Sequence, residues 1–187
     1  MKNKKIIGIE LKSLANCELS ISTYPKFKYN ATGGGGKGIL KETDKEGYFQ
    51  IIFQQNKFNI PPINGETTKF LGVSLPPGIE IKIVTQELAG YINLNTGELT
   101  LNFLAKFKFS ILKLIKAPDL IVETCLNNKG IENNNIKVIG SPINKDGRTR
   151  LVGNANVDRT GNIFLDKFLL LPNIALAILE CKIIYIE

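Results

Sequence analysis

The run from Leu99 to Ile111 alternates apolar and polar side chains with one interruption. Leu99, Leu101, Phe103, Ala105, Phe107, Phe109 and Ile111 fall on one side. Thr100, Asn102, Lys106, Lys108 and Ser110 fall on the other, and Leu104 is the exception. Successive side chains of an extended chain point to opposite faces, so this pattern requires a long β-strand with one buried and one wet face. The turn Asn95-Thr96-Gly97-Glu98 leads into it. Such a strand needs partners for its backbone and a cover for its apolar face, which confines the chain to packed or closed sheets.

Shorter segments repeat the theme. Cys17, Leu19 and Ile21 alternate with Glu18 and Ser20; Phe49, Ile51 and Phe53 form the inner face of a strand from Tyr48 to Gln54; Ile79, Ile81 and Ile83 face inward in a strand from Ile79 to Leu88. Further strands are expected at Leu120 to Leu126, Ile136 to Ile139, Arg148 to Val157 and Ala175 to Ile184. The last is apolar on both faces at first, as a central strand is. Asn56 to Pro77 carries Pro61-Pro62 and Pro76-Pro77-Gly78, which resist ladder pairing, so it reads as a surface excursion with a short strand near Phe70 to Ser74. Asn127 to Asn135 reads as a polar loop. Phe164, Leu165, Phe168 and Leu169 have helical spacing and predict one short helix within 163–171, stopped by Pro172. Polar residues followed by Gly47, Gly97, Gly147 and Gly161 mark tight turns in which glycine takes the left-handed position. The fold class is therefore all-β: a single antiparallel β-barrel or β-sandwich of about nine or ten strands, in one domain spanning 1–187.

Hydrophobic residues make up 43% of the 187, enough for a core without covalent staples. Cys17, Cys125 and Cys181 are scattered and odd in number, so they read as small buried hydrophobes rather than a disulfide framework. The chain has no histidine. That removes the commonest general base, the nucleophile pairs built on it and the usual zinc ligand, so no catalytic residue, metal or cofactor is assigned. The net charge of +7 draws the chain toward anionic partners, although a Lys-, Ile- and Asn-rich composition is also what an AT-rich genome imposes. The basic start Met1-Lys2-Asn3-Lys4-Lys5 precedes an apolar run that ends at Glu10, too short for a secretory segment. No stretch reaches a membrane-span length, so a cytoplasmic or plastid-stromal protein is expected, with peripheral membrane contact still open to it.

The candidate binding residues are few. Arg148, Arg150 and Arg159 are the three arginines, and a planar fork suits carboxylate or phosphate; Arg148 and Arg150 share one strand face. Gly33 to Gly38 imitates a phosphate loop but has Ala31 and Gly38 where glycine and a hydroxyl are required. It is expected to be a mobile tip, with Gly34 and Lys37 as partner contacts. Lys82, Lys106, Lys108, Lys113 and Lys116 could form a basic stripe. The aromatic residues of that strand lie on the other face, which disfavours single-stranded nucleic acid. The inner faces could enclose an apolar ligand.

From Thr96-Gly97-Glu98-Leu99 through Phe107 and Phe109, then Ala117-Pro118, Val122-Glu123-Thr124, Arg150-Leu151-Val152-Gly153 and Phe168-Leu169-Leu170-Leu171-Pro172, the C-terminal half resembles an uncharacterised family of cyanobacteria and plastids. The resemblance implies a photosynthetic cell and supplies no catalytic residues. The expected function is a non-enzymatic accessory protein that binds a protein partner or an apolar ligand such as a lipid or pigment. The alternatives are an enzyme with a Lys, Glu or Tyr site in a barrel mouth, and a basic nucleic-acid-binding module.

Overall fold

A computed structural model of the chain describes residues 5–112, 114–132 and 137–187, with the backbone alone at 115 and 116. The first strands are β1 (Gly8–Ser13), β2 (Cys17–Ile21), β3 (Phe27–Tyr29), β4 (Gly35–Glu42) and β5 (Tyr48–Phe53). Three short ones follow, β6 (Ile63–Asn64), β7 (Thr68–Phe70) and β8 (Val73–Ser74). Then come β9 (Ile79–Asn93), β10 (Leu99–Ile111), β11 (Ile115–Lys116) and β12 (Leu120–Asn127). The chain ends with β13 (Gly130–Glu132), β14 (Lys137–Ile139), β15 (Arg148–Val157), the helix α1 (Ile163–Leu169) and β16 (Asn173–Ile186).

Eight strands pair in the order β1-β4-β5-β9-β10-β12-β15-β16, and β16 returns to β1, so the sheet closes into an antiparallel ring. Two long strands each change partner along one edge. The end of β16 pairs with β1, from Cys181 opposite Ser13 to Ile186 opposite Gly8; its beginning pairs with β2, from Ala175 opposite Ile21 to Ile178 opposite Glu18. The end of β9 pairs with β5, while near its start Ile81 and Glu80 meet β6. The molecule thus has two storeys sharing one back wall. The front of the upper storey is β1, β4 and β5. The front of the lower storey is an arm, β2-β3-β7-β8, that leaves β16 and reaches toward β6.

The upper storey is filled. Ile9, Leu11, Ile51, Ile92, Leu101 and Leu151 are among its buried side chains and form one cluster. The inward glycines of β4 make that filling possible. A Cβ on Gly38 would stand 2.8 Å from Ile51 Cγ2 and 3.1 Å from the Phe53 ring, and one on Gly36 would stand 2.7 Å from the Lys57 carbonyl oxygen. Gly33 to Gly38 is therefore not a mobile tip. Gly35 to Gly38 begins a ring strand whose missing side chains leave room for Phe53 and Phe58, a packing role that a lone run of glycines does not announce.

The lower storey has two separate clusters facing each other. One joins Leu120, Val122, Ala155 and Val157 to Leu165 and Leu169 of α1; the other is Cys17, Tyr29, Ala31 and Ile63. Strands β12 and β15 share one ladder pair, Asn127 with Val152. Below it the Thr124 hydroxyl donates to the Asn154 carbonyl at 2.7 Å, and α1 packs its leucines against both strands. The helix is held by Asn162, whose side chain accepts from the Leu165 amide at 2.9 Å.

The all-β expectation with one short helix holds, and β10 spans the expected residues. Several details differ. β9 runs on to Asn93 through an irregularity opposite Leu104 and Ala105. Ile111 is exposed, because β10 leaves the ring at its end. Cys125 is exposed as well, since it falls on the outer face of β12, whereas Cys17 and Cys181 are buried. Part of the expected loop at 127–135 is ordered: Asn128 is buried, its oxygen accepting from the Leu99 amide and its NH2 donating to the Gly97 carbonyl and Thr149 hydroxyl. Gly161 turns into α1 rather than into a strand. Met1 to Lys4, Lys113, Asn133 to Asn135 and Ile136 lie outside the described residues, and Lys116 is placed by its backbone alone.

Candidate functional site

Between the two lower clusters, under a ceiling that includes Leu11, Leu101 and Leu151 of the upper cluster, lies a cavity of about 300 Å³. Its emptiness has a residue-level cause. On β15 and β16 the inward cross-strand pairs are Gly153 with Ala177 and Ala155 with Ala175, while one step up the pair is Leu151 with Leu179. Two successive rows without bulk remove the side chains that would fill the space. Phe103, Phe107 and Phe109 of β10 and Ile81 and Ile83 of β9 also wall the cavity, as does Leu19 of β2, the neighbour of Ala177 along its own row, without closing it. Interiors are ordinarily packed to crystal-like density, so a void of this size is a feature rather than slack.

Among the described residues, the cavity lining contains no Asp, Glu, Lys or Arg. Several of its hydroxyls are engaged elsewhere: Tyr29 donates to the Pro61 carbonyl, Thr124 to the Asn154 carbonyl, and Thr68 meets the Thr67 hydroxyl at 3.2 Å. Burial pushes the Tyr29 phenol and the Cys181 thiol well above their ordinary values, so both stay neutral. Apolar walls, neutral groups and no fixed charge can hold an apolar molecule by burial, and they offer no acid–base pair.

The arginines and the glycine segment lie elsewhere. Arg148 and Arg150 do share the outer face of β15. The Arg150 guanidinium Nε contacts Glu180 at 2.6 Å, and Arg148 stands opposite Lys182, which in turn stands opposite Lys12. This row of exposed cations crosses three strands of the upper storey. Arg159 follows the other end of β15 and does not join it; it lies near Asp166 of α1. Gly34 is buried, its amide donating to the Ala31 carbonyl at 3.0 Å, and Lys37 is exposed on β4 opposite Glu10. None of the five borders the cavity. Of the proposed basic stripe, Lys82 and Lys108 stand opposite each other on the outside of β9 and β10.

The cavity residues themselves were missed as a site. The available signal was the pairing of small inward positions, Gly153 and Ala155 on one strand with Ala175 and Ala177 on another. Each strand's alternation is legible alone, but the fact that the two are neighbours is not.

Compared with family models, with curated proteins and with solved structures, the chain matches none. Among the described residues no helix is long and apolar enough to cross a membrane.

Proposed function

We propose that this protein binds an apolar small molecule, a lipid or a pigment, inside the lower storey of a ring that serves as a β-barrel. The observation that carries the reading is the uncharged cavity of about 300 Å³ vacated by the Gly153–Ala177 and Ala155–Ala175 rows. That volume sits at the lower end of small-molecule sites, roughly 300–1,000 Å³. An apolar guest would replace contacts that the empty walls lack, while a polar one would lose its hydration without compensation. The resemblance to a cyanobacterial and plastid family would place this role in a photosynthetic cell. The reading is that of a binding protein rather than an enzyme, because the charged side chains catalysis would call on stand on the outside.

The test is native mass spectrometry of the chain after incubation with a saturated fatty acid, beside an Ala177→Leu variant. The wild type is expected to carry one ligand and the variant to lose most of it. Equal loading of both, or of neither, contradicts the reading. Thermal unfolding of the variant checks that it is folded, since overfilling a well-packed site costs about 1–3 kcal/mol and filling a hollow one costs less.

A further inference from the structure

The lower end of the ring is rimmed by apolar side chains that stay exposed among the described residues. Phe164 and Phe168 of α1, Leu71 and Val73 at the β7–β8 turn, and Leu112 and Leu114 after β10 are each more than half exposed. They belong to one end. Phe70, before the turn, stands opposite Phe27 at the start of β3; Ile111, before Leu112, stands opposite Ile79 at the start of β9. They are also linked. The Tyr24 ring lies 6.5 Å from Phe70 and 6.4 Å from Phe168, and its hydroxyl donates to the Phe168 carbonyl. On the far side the Leu112 amide donates to the Gly78 carbonyl at 2.7 Å.

Three observations say what covers this rim. The cavity reaches this end, because Phe168, 57% exposed, is also one of its lining residues. The outer face of α1 is apolar although the helix has already buried Leu165 and Leu169 inside, so it has a second surface to hide. The charge beside the rim is basic. Lys69 precedes Phe70, Lys28 stands opposite Lys69, and Lys167 lies between Phe164 and Phe168; all three are exposed and none has an ion-pair partner among the described residues. Of the acids at this end, Glu18 is taken up by Lys26 at 3.0 Å and Asp166 by the Thr160 hydroxyl and the Thr160 and Gly161 amides, while Asp119 before β12 and Asp158 after β15 stay exposed on the side of the ring away from Lys28 and Lys69.

We infer that the lower end docks on an anionic lipid bilayer, with the α1 aromatics and the β7–β8 turn entering the headgroup boundary and the cavity mouth facing the acyl chains. Apolar side chains flanked by lysines are the chemistry of interfacial binding, in which buried apolar area and attraction to anionic headgroups add. The inference deepens the lipid-binding reading by naming the bilayer as the source of the ligand, and it rests on that reading only for what passes through the mouth.

The test is co-flotation of the full chain with phosphatidylcholine vesicles, with and without an added anionic phospholipid. Binding is expected to the anionic vesicles, to weaken as salt screens it, and to fall about tenfold or more in a Phe164→Ser, Phe168→Ser variant. A Leu71→Ser, Val73→Ser variant is expected to lose vesicle binding similarly while leaving α1 intact. Fatty-acid loading in vesicle-free solution is measured on the same Leu71→Ser, Val73→Ser protein. Lost flotation with retained loading supports docking. Flotation that survives both variants, absence of flotation in the wild type, or a dimer in sedimentation velocity that the Phe164→Ser, Phe168→Ser change dissociates would overturn it. Failure of loading alone would count against the cavity reading and leave the docking result standing.

Discussion

Single residues decide where this sheet is tight. Asn128 is the clearest case: a buried amide satisfies the Leu99 amide, the Gly97 carbonyl and the Thr149 hydroxyl, tying the β9–β10 turn to β15. Asn128→Ala would strand the Leu99 amide, while the Gly97 carbonyl keeps the Ile143 amide and the Thr149 hydroxyl keeps the Ser141 carbonyl, and a loss of about 1–3 kcal/mol in urea unfolding is expected. Thr85 is the opposite case. Its hydroxyl is buried and has no partner among the described residues, so Thr85→Val is expected to be neutral or to stabilise by about 1 kcal/mol; a clear destabilisation would mean the hydroxyl is bonded after all. The cysteines give a third check. Cys125 is exposed while Cys17 and Cys181 are buried, so a maleimide is expected to label one thiol in the native chain and all three after unfolding. At this scale the sequence misleads in one respect. Cys125 reads as a small buried hydrophobe by residue type, but it alternates in phase with the exposed Ile121 and Glu123 of β12, and its thiol falls with them on the outer face.

Elements show how far periodicity carries. The alternation in β10 is legible because a one-residue slip would expose its phenylalanines, so the sequence has one acceptable register. The β4 segment is not legible. Glycine erases the alternation, and the reason for the glycines lies in the volumes of Phe53 and Phe58, far along the chain. α1 was legible from its spacing, and its capping is testable. Asn162→Ala is expected to cost about 1 kcal/mol through the lost bond to the Leu165 amide. Asp166 adds a pH dependence. The Thr160 hydroxyl beside it, helped by two backbone amides, holds its carboxyl below the ordinary aspartate range. Its contribution is therefore complete above the unfolded-state value and fades as pH falls through the lowered native one. An NMR titration of the Asp166 carboxyl should give a midpoint below that of an unfolded control, and in Thr160→Val the midpoint should move back up.

The whole molecule combines a filled storey with a hollow one, joined by β9 and β16, each of which changes partner half-way. In β16 that change of partner is invisible in sequence, because one inward alternation runs from Ala175 to Ile183; in β9 the inward set shifts from Ile81 and Ile83 to Leu88 and Ile92 across the irregularity. The hollow follows from a coincidence of neighbours, two glycine–alanine and alanine–alanine rows meeting across β15 and β16. The most direct test is a methyl NMR titration of the chain with a fatty acid. Shifts are expected at Ile81, Val122 and Ala177 around the cavity, with Ile9, Ile51 and Ile92 of the filled storey unmoved. Saturable shifts confined to the first group are the predicted result, whereas no shifts, or shifts spread equally over both groups, would contradict the account.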